Sequence, residues 1–147
     1  MKKVELFTIG FTKKTAEAFF GKIENAGVKK VIDVRLNNVS QLAGFSKKND
    51  LIYFLKEICE CGYRHEPLLA PTKEILKSYK KKNISWAKYE KRFNVLLRER
   101  EAHALVRRSE LHRACLLCSE ATPDNCHRRL VAEYFSHHFD NVEITHL

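Results

Sequence analysis

The stretch LLCSEATPDNCHRR, Leu116 to Arg129, places a thiol, a carboxylate, an imidazole and two guanidiniums around one turn. An apolar run ends in Cys118 and Glu120, and after the turn the chain restarts as Cys126-His127-Arg128-Arg129. A thiol in the first turn of a helix beside His127 and Arg128 has its thiolate stabilised. Cys126 is therefore a candidate nucleophile with His127 as its base. Glu120, with Asp33, is expected to orient the arginines of an anion site or to handle protons there. Two observations oppose a thiol enzyme. Adjacent helical residues point about 100° apart. The phosphatase spacing of Cys followed six positions later by Arg is also absent, since Asp124 and Ala132 occupy those positions.

A second group follows from KKVIDVR, where a β-branched run ends in Asp33 and Arg35. Asp33 either caps loop N–H groups or serves as an acid/base. Arg35 and Arg128 are suited to gripping a phosphate or carboxylate bidentately. Arg129, Cys118 and Ser46 complete the expected ligand-contacting set. Cysteines invite a zinc reading, but Cys115 and Cys118, three apart on a strand, point to opposite faces. Cys118 with Cys126 and His127 remains possible across the junction. The expectation is no metal and no other cofactor, with a zinc-stabilised interaction module as an alternative.

These groups need a scaffold. Val4 to Gly10 reads as a strand, Ala16 to Ala26 as a helix capped by Thr15 and stopped by Gly27, and Lys29 to Arg35 as a second strand. This βαβ unit implies a parallel pair. A loop over 36–45 precedes a helix capped by Ser46 and ended by Gly62, then a short strand from Tyr63 to Leu69. Thr72 opens a helix over 73–81. Ser85 caps another in which Trp86, Tyr89 and Phe93 recur at the spacing of a core-facing stripe. Ala114 to Ser119 is a central strand, Asn125 to His138 a helix, and Val142 to Leu147 a last strand. The pattern predicts a single α/β domain over 1–147 with a mostly parallel central sheet flanked by helices. In such sheets ligands gather beyond the carboxyl ends of strands, where both residue groups fall.

With 27 basic and 18 acidic residues the chain carries a formal charge of +9, much of it in runs such as Lys80-Lys81-Lys82. Such a field favours polyanionic partners, nucleic acid or a phosphorylated small molecule. The five cysteines are odd in number and no export signal is apparent, so a cytoplasmic protein with reduced thiols is expected. No segment has the roughly 20 apolar residues that span a bilayer.

The chain resembles the domain of unknown function 488 family. The stretches that carry the likeness are FTIG, VIDVR, GFS at Gly44 to Ser46, GYRHEPLLAPTKEILKSYKKKNISWAKYEKRF and LLCSEATPDNCHRRLVAEYF. The resemblance implies an α/β fold and points to Asp33, Arg35, Cys118, Glu120, Cys126, His127 and Arg128. Many members carry His or Tyr and then Ser after the first Gly, where this chain has Phe11 and Thr12. No activity comes with the likeness. The functional expectation is a phosphate-bearing ligand bound around Glu120 and Cys126–Arg128, with a thiol enzyme as the alternative.

Overall fold

VELFTIG is apolar on both sides, and the strand it forms, β1 (Val4–Gly10), is buried on both faces of a sheet. Val4 and Leu6 enter one core, Phe7 and Ile9 the other. The computed structural model describes residues 2–38, 44–120 and 122–147. After β1 come α1 (Ala16–Ala26), β2 (Lys30–Asp33), α2 (Lys48–Cys59), β3 (Gly62–His65), α3 (Lys73–Lys80), α4 (Trp86–Glu99), α5 (Arg108–Leu111), β4 (Ala114–Cys118), α6 (His127–His138) and β5 (Val142–His146). All five strands pair in parallel, in the order β3-β2-β4-β1-β5.

Local signals explain most boundaries. The Thr15 hydroxyl accepts the Ala18 N–H, and Gly27 takes the left-handed conformation at φ 72° that ends α1. Thr72 and Ser85 cap α3 and α4 in the same way. Tyr89, Phe93 and Leu97 are the buried stripe of α4, as their spacing predicts.

Several boundaries differ from expectation, β2 among them, which spans only Lys30–Asp33. Ser46 does not cap α2; it closes a 3-10 turn, Gly44–Ser46, and is buried, while Lys47 holds the N-cap position. Gly62 does not end α2, which stops at Cys59 with Glu60 left-handed at φ 50°. β3 is shorter than its apolar pattern implies, because Pro67 opens a 3-10 turn, Pro67–Leu69. α6 begins at His127 because Cys126 keeps an extended backbone. Residues 39–43 of the expected loop lie outside the described residues.

α1 and α2 cover one face of the sheet; α3, α4, α5 and α6 cover the other. The helices that follow β1 and β2 therefore lie opposite the helix that follows β4, the strand between them. At the carboxyl end of β4 the connections part to opposite sides, the kind of topological switch point at which α/β proteins bind ligands. Among the described residues no helix is long and apolar enough to cross a membrane.

Candidate functional site

On the α1–α2 side of this edge stands the Asp33 carboxylate, fully buried. Its Oδ1 accepts the Arg35 backbone N–H at 3.1 Å and Arg35 Nε at 2.8 Å. Its Oδ2 accepts Arg35 Nη2 at 2.8 Å, the Tyr63 hydroxyl at 2.5 Å and Asn38 Nδ2 at 3.5 Å. Asp33 thus does both things a post-strand carboxylate can do structurally: it caps the loop and neutralises an arginine. Burial, and then the Asp33 carboxylate, push the Tyr63 hydroxyl well above its usual range. The Arg35 guanidinium is 3% exposed and lies 5.4 Å from the centroid of the Phe11 ring. Its Nη1 has no hydrogen-bond partner among the described residues.

The α6 side holds the second group. His127 Nε2–H donates to the Val34 carbonyl at 2.6 Å, and Phe93 packs edge-on against the ring at 5.7 Å between centroids. Burial drives the His127 pKa down to about 4, so the ring is neutral. Arg128, 1% exposed, donates from Nη1 to the Glu120 carbonyl at 2.6 Å and to Cys118 Sγ at 3.7 Å, and from Nε to Thr8 Oγ1 at 3.3 Å. Burial lowers its pKa. The Lys14 ammonium is lowered as well, by burial first and then by the Arg128 charge, so two cations share this neighbourhood.

The end of β2 and the turn before α6 do meet, through the His127–Val34 hydrogen bond. The structure does not bring Arg35 and Arg128 into one clamp. Asp33 alternates with Ile32 and Val34 along β2, so the Asp33–Arg35 pair and Arg128 occupy opposite faces of the sheet at its edge. Arg128 forms no ion pair with Asp33 and uses the backbone, not the carboxylate, of Glu120, whose side chain is exposed. Arg129 faces away, bridging Glu133 at 2.9 Å and Glu90 at 3.4 Å.

The thiols require a correction. Cys118 and Cys126 are joined by a disulfide, so Cys126 is not a free activated thiol, and the expectation of five reduced thiols holds only for Cys59, Cys61 and Cys115. His127 is not placed as a free base either, since its protonated nitrogen is committed to Val34. Cys115 and Cys118 point to opposite faces, as alternation predicts. The sulfurs of Cys118 and Cys126 and a ring nitrogen of His127 all lie within 4.8 Å of one another.

Sequence reasoning passed over Tyr63 and Asn38, which complete the Asp33 network, and Gly10. A Cβ on Gly10 would sit 1.6 Å from the Glu120 carbonyl oxygen and 2.7 Å from Arg128 Nη1. Only glycine lets the Glu120 backbone cross β1 closely enough for Arg128 to reach it. No local signal marks Tyr63: it sits two residues before His65, the partner of Asp33 in the parallel register, and so shares the face of the sheet that Asp33 occupies. Two surface grooves, of 330 Å³ between α1 and α2 and 510 Å³ between α3 and α4, lie away from this edge.

No curated protein and no solved structure matches the chain. A family model described as Domain of unknown function DUF488 matches residues 15–135, which takes in both groups of the sheet edge.

Proposed function

The chain belongs to the family of the domain of unknown function DUF488, and for this member we propose that the carboxyl edge of the sheet binds a phosphate-bearing ligand, a nucleotide or a nucleic acid. The observation that carries the reading is Arg35 Nη1, a buried cationic donor left without an acceptor among the described residues. An unmatched buried donor on a charged group costs roughly 1–3 kcal/mol or more, and an anionic oxygen removes that cost. Arg128, on the opposite face of the same edge, also lacks a carboxylate partner: it bonds a hydroxyl, a sulfur and a carbonyl. Three cations, Lys14, Arg35 and Arg128, thus stand at this edge with Asp33 as the buried carboxylate. The overall charge of +9 draws polyanions toward it. The reading keeps the protein in the cytoplasm, where Cys59, Cys61 and Cys115 stay free and the Cys118–Cys126 bond is open to reduction. Thiol chemistry at Cys126 ranks second, because that sulfur is bonded to Cys118.

Fluorescence anisotropy with labelled single-stranded DNA, RNA and an adenine nucleotide tests the proposal across a salt series. Log affinity should fall linearly with log salt concentration. Arg35→Lys keeps the charge and loses the planar fork, so it should weaken binding about tenfold, the equivalent of one charge-assisted hydrogen bond. Affinity that is flat in salt, or unchanged in a folded Arg35→Lys protein, overturns the assignment.

A further inference from the structure

Beyond the anion site, we propose that Cys118, Cys126 and His127 form, in the reduced protein, a binding site for a thiophilic divalent cation of tetrahedral preference such as zinc. Their ligand-capable atoms already lie within 4.8 Å of one another, and all three residues are buried. They come from fixed places: the last residue of β4, the N-cap of α6 and its first helical residue. The imidazole has the kind of outer-shell partner that metal-bound histidines have. Its Nε2–H is held by a backbone carbonyl, that of Val34, which leaves the lone pair on Nδ1, and Phe93 packs against the ring.

Backbone spacing points the same way. The Cα atoms of Cys118 and Cys126 are 7.5 Å apart, wider than the roughly 4.4–6.8 Å usual for directly bonded cysteines. Once the bond is opened, that Cα spacing lets the sulfurs part and admit an ion between them. Cys115 cannot join the set, because it faces the opposite core.

The charges balance. Opening the disulfide with a phosphine consumes water and gives two thiols and the phosphine oxide, a two-electron reduction of sulfur. Metal entry then releases two protons as both thiols become thiolates, while His127 binds neutral through Nδ1. A dication with two thiolates is a neutral centre, which suits a buried setting. Two sulfurs and one nitrogen leave one tetrahedral position for water or another exogenous donor.

The experiment adds cobalt(II), then zinc(II), to the phosphine-reduced full chain under anaerobic conditions. One cobalt per chain should bind, with a near-ultraviolet sulfur-to-cobalt band and intense visible bands of four-coordinate cobalt, all abolished by zinc. Cys59→Ser should leave these bands intact. Cys118→Ser and His127→Gln should each weaken uptake by at least the roughly 10- to 100-fold that losing an outer-shell partner costs. In the unmutated protein, mass-spectrometric mapping should show zinc protecting Cys118 and Cys126, and not Cys59, from alkylation, which tests the site even if the variants misfold. Absence of cobalt bands from the folded reduced protein, or protection of other cysteines instead, overturns the proposal. Oligonucleotide binding by the oxidised protein is unaffected by either result, so this site and the anion site fail separately.

Discussion

Replacing Asp33 by Asn changes no count of non-hydrogen atoms, yet it should be among the most damaging single substitutions in this protein. The carboxylate accepts from five donors, three of them on Arg35. An asparagine keeps one acceptor oxygen and turns an amide N–H₂ toward donors, so at least one Arg35 nitrogen faces another donor at about hydrogen-bond distance. The guanidinium, 3% exposed, also loses its counter-charge. Breaking a buried pair from one side costs about 3–5 kcal/mol. At roughly 2–4 °C per kcal/mol for a domain of this size, the melting temperature should drop by about 6–20 °C. Urea unfolding followed by circular dichroism should show a lower midpoint at unchanged slope. The double variant Asp33→Asn/Arg35→Met, which removes the stranded charge as well, should regain more than half of the loss. A single-variant drop under about 3 °C refutes the reasoning on magnitude. A double variant no better than the single refutes it on cause.

Gly10→Ala pushes a methyl into the Glu120 backbone and against Arg128 Nη1. Adding overpacking to a lost charge-assisted hydrogen bond, it should destabilise by about 2–5 kcal/mol in urea titration. Gly21→Ala, in the middle of α1 with nothing within 4 Å of its Cβ, should instead stabilise by about 0.5–1 kcal/mol; equal effects at the two glycines contradict the packing described. Burial pushes the Cys61 thiol up to about 12 from 9.0. The fold holds this thiol neutral, so the stability it confers is present below about pH 9 and is lost as pH rises toward about 12. Its alkylation at pH 8 should be about a thousandfold slower than for an unperturbed thiol, and a rate near that of the denatured chain would show the burial to be wrong.

Residues that act through their neighbours in sequence were readable before any coordinates. Thr15, Gly27, Thr72 and Ser85 bound their helices because capping depends on the backbone two or three residues away. The alternation of Cys115 and Cys118 followed from strand geometry alone. Groups that act across the sheet were not. Tyr63 and Asn38 reach Asp33 from 30 and 5 residues away, and nothing in their flanks announces that partner. Ser46 has the chemistry of a cap but lies inside a 3-10 turn, so Lys47 takes the extended conformation an N-cap requires. The Cys118–Cys126 pairing depends on how the turn between β4 and α6 folds back, which spacing does not specify. The two arginines illustrate the limit best. Both strand ends meet as expected, yet the pleat that decides which face each guanidinium reaches separates them.

The place of β4 in the sheet sets an order of assembly. It lies between β2 and β1, and its pairing of Cys115 with Phe7 spans most of the chain. A nascent polypeptide that has not yet emitted residue 114 can pair β2 with β3, but β1 has neither β4 nor β5 beside it. Its apolar backbone ladder must then wait, open to any passing strand. Closure by a late insertion of this kind makes for slow folding, and fragments ending before β4 should clump rather than stay dispersed.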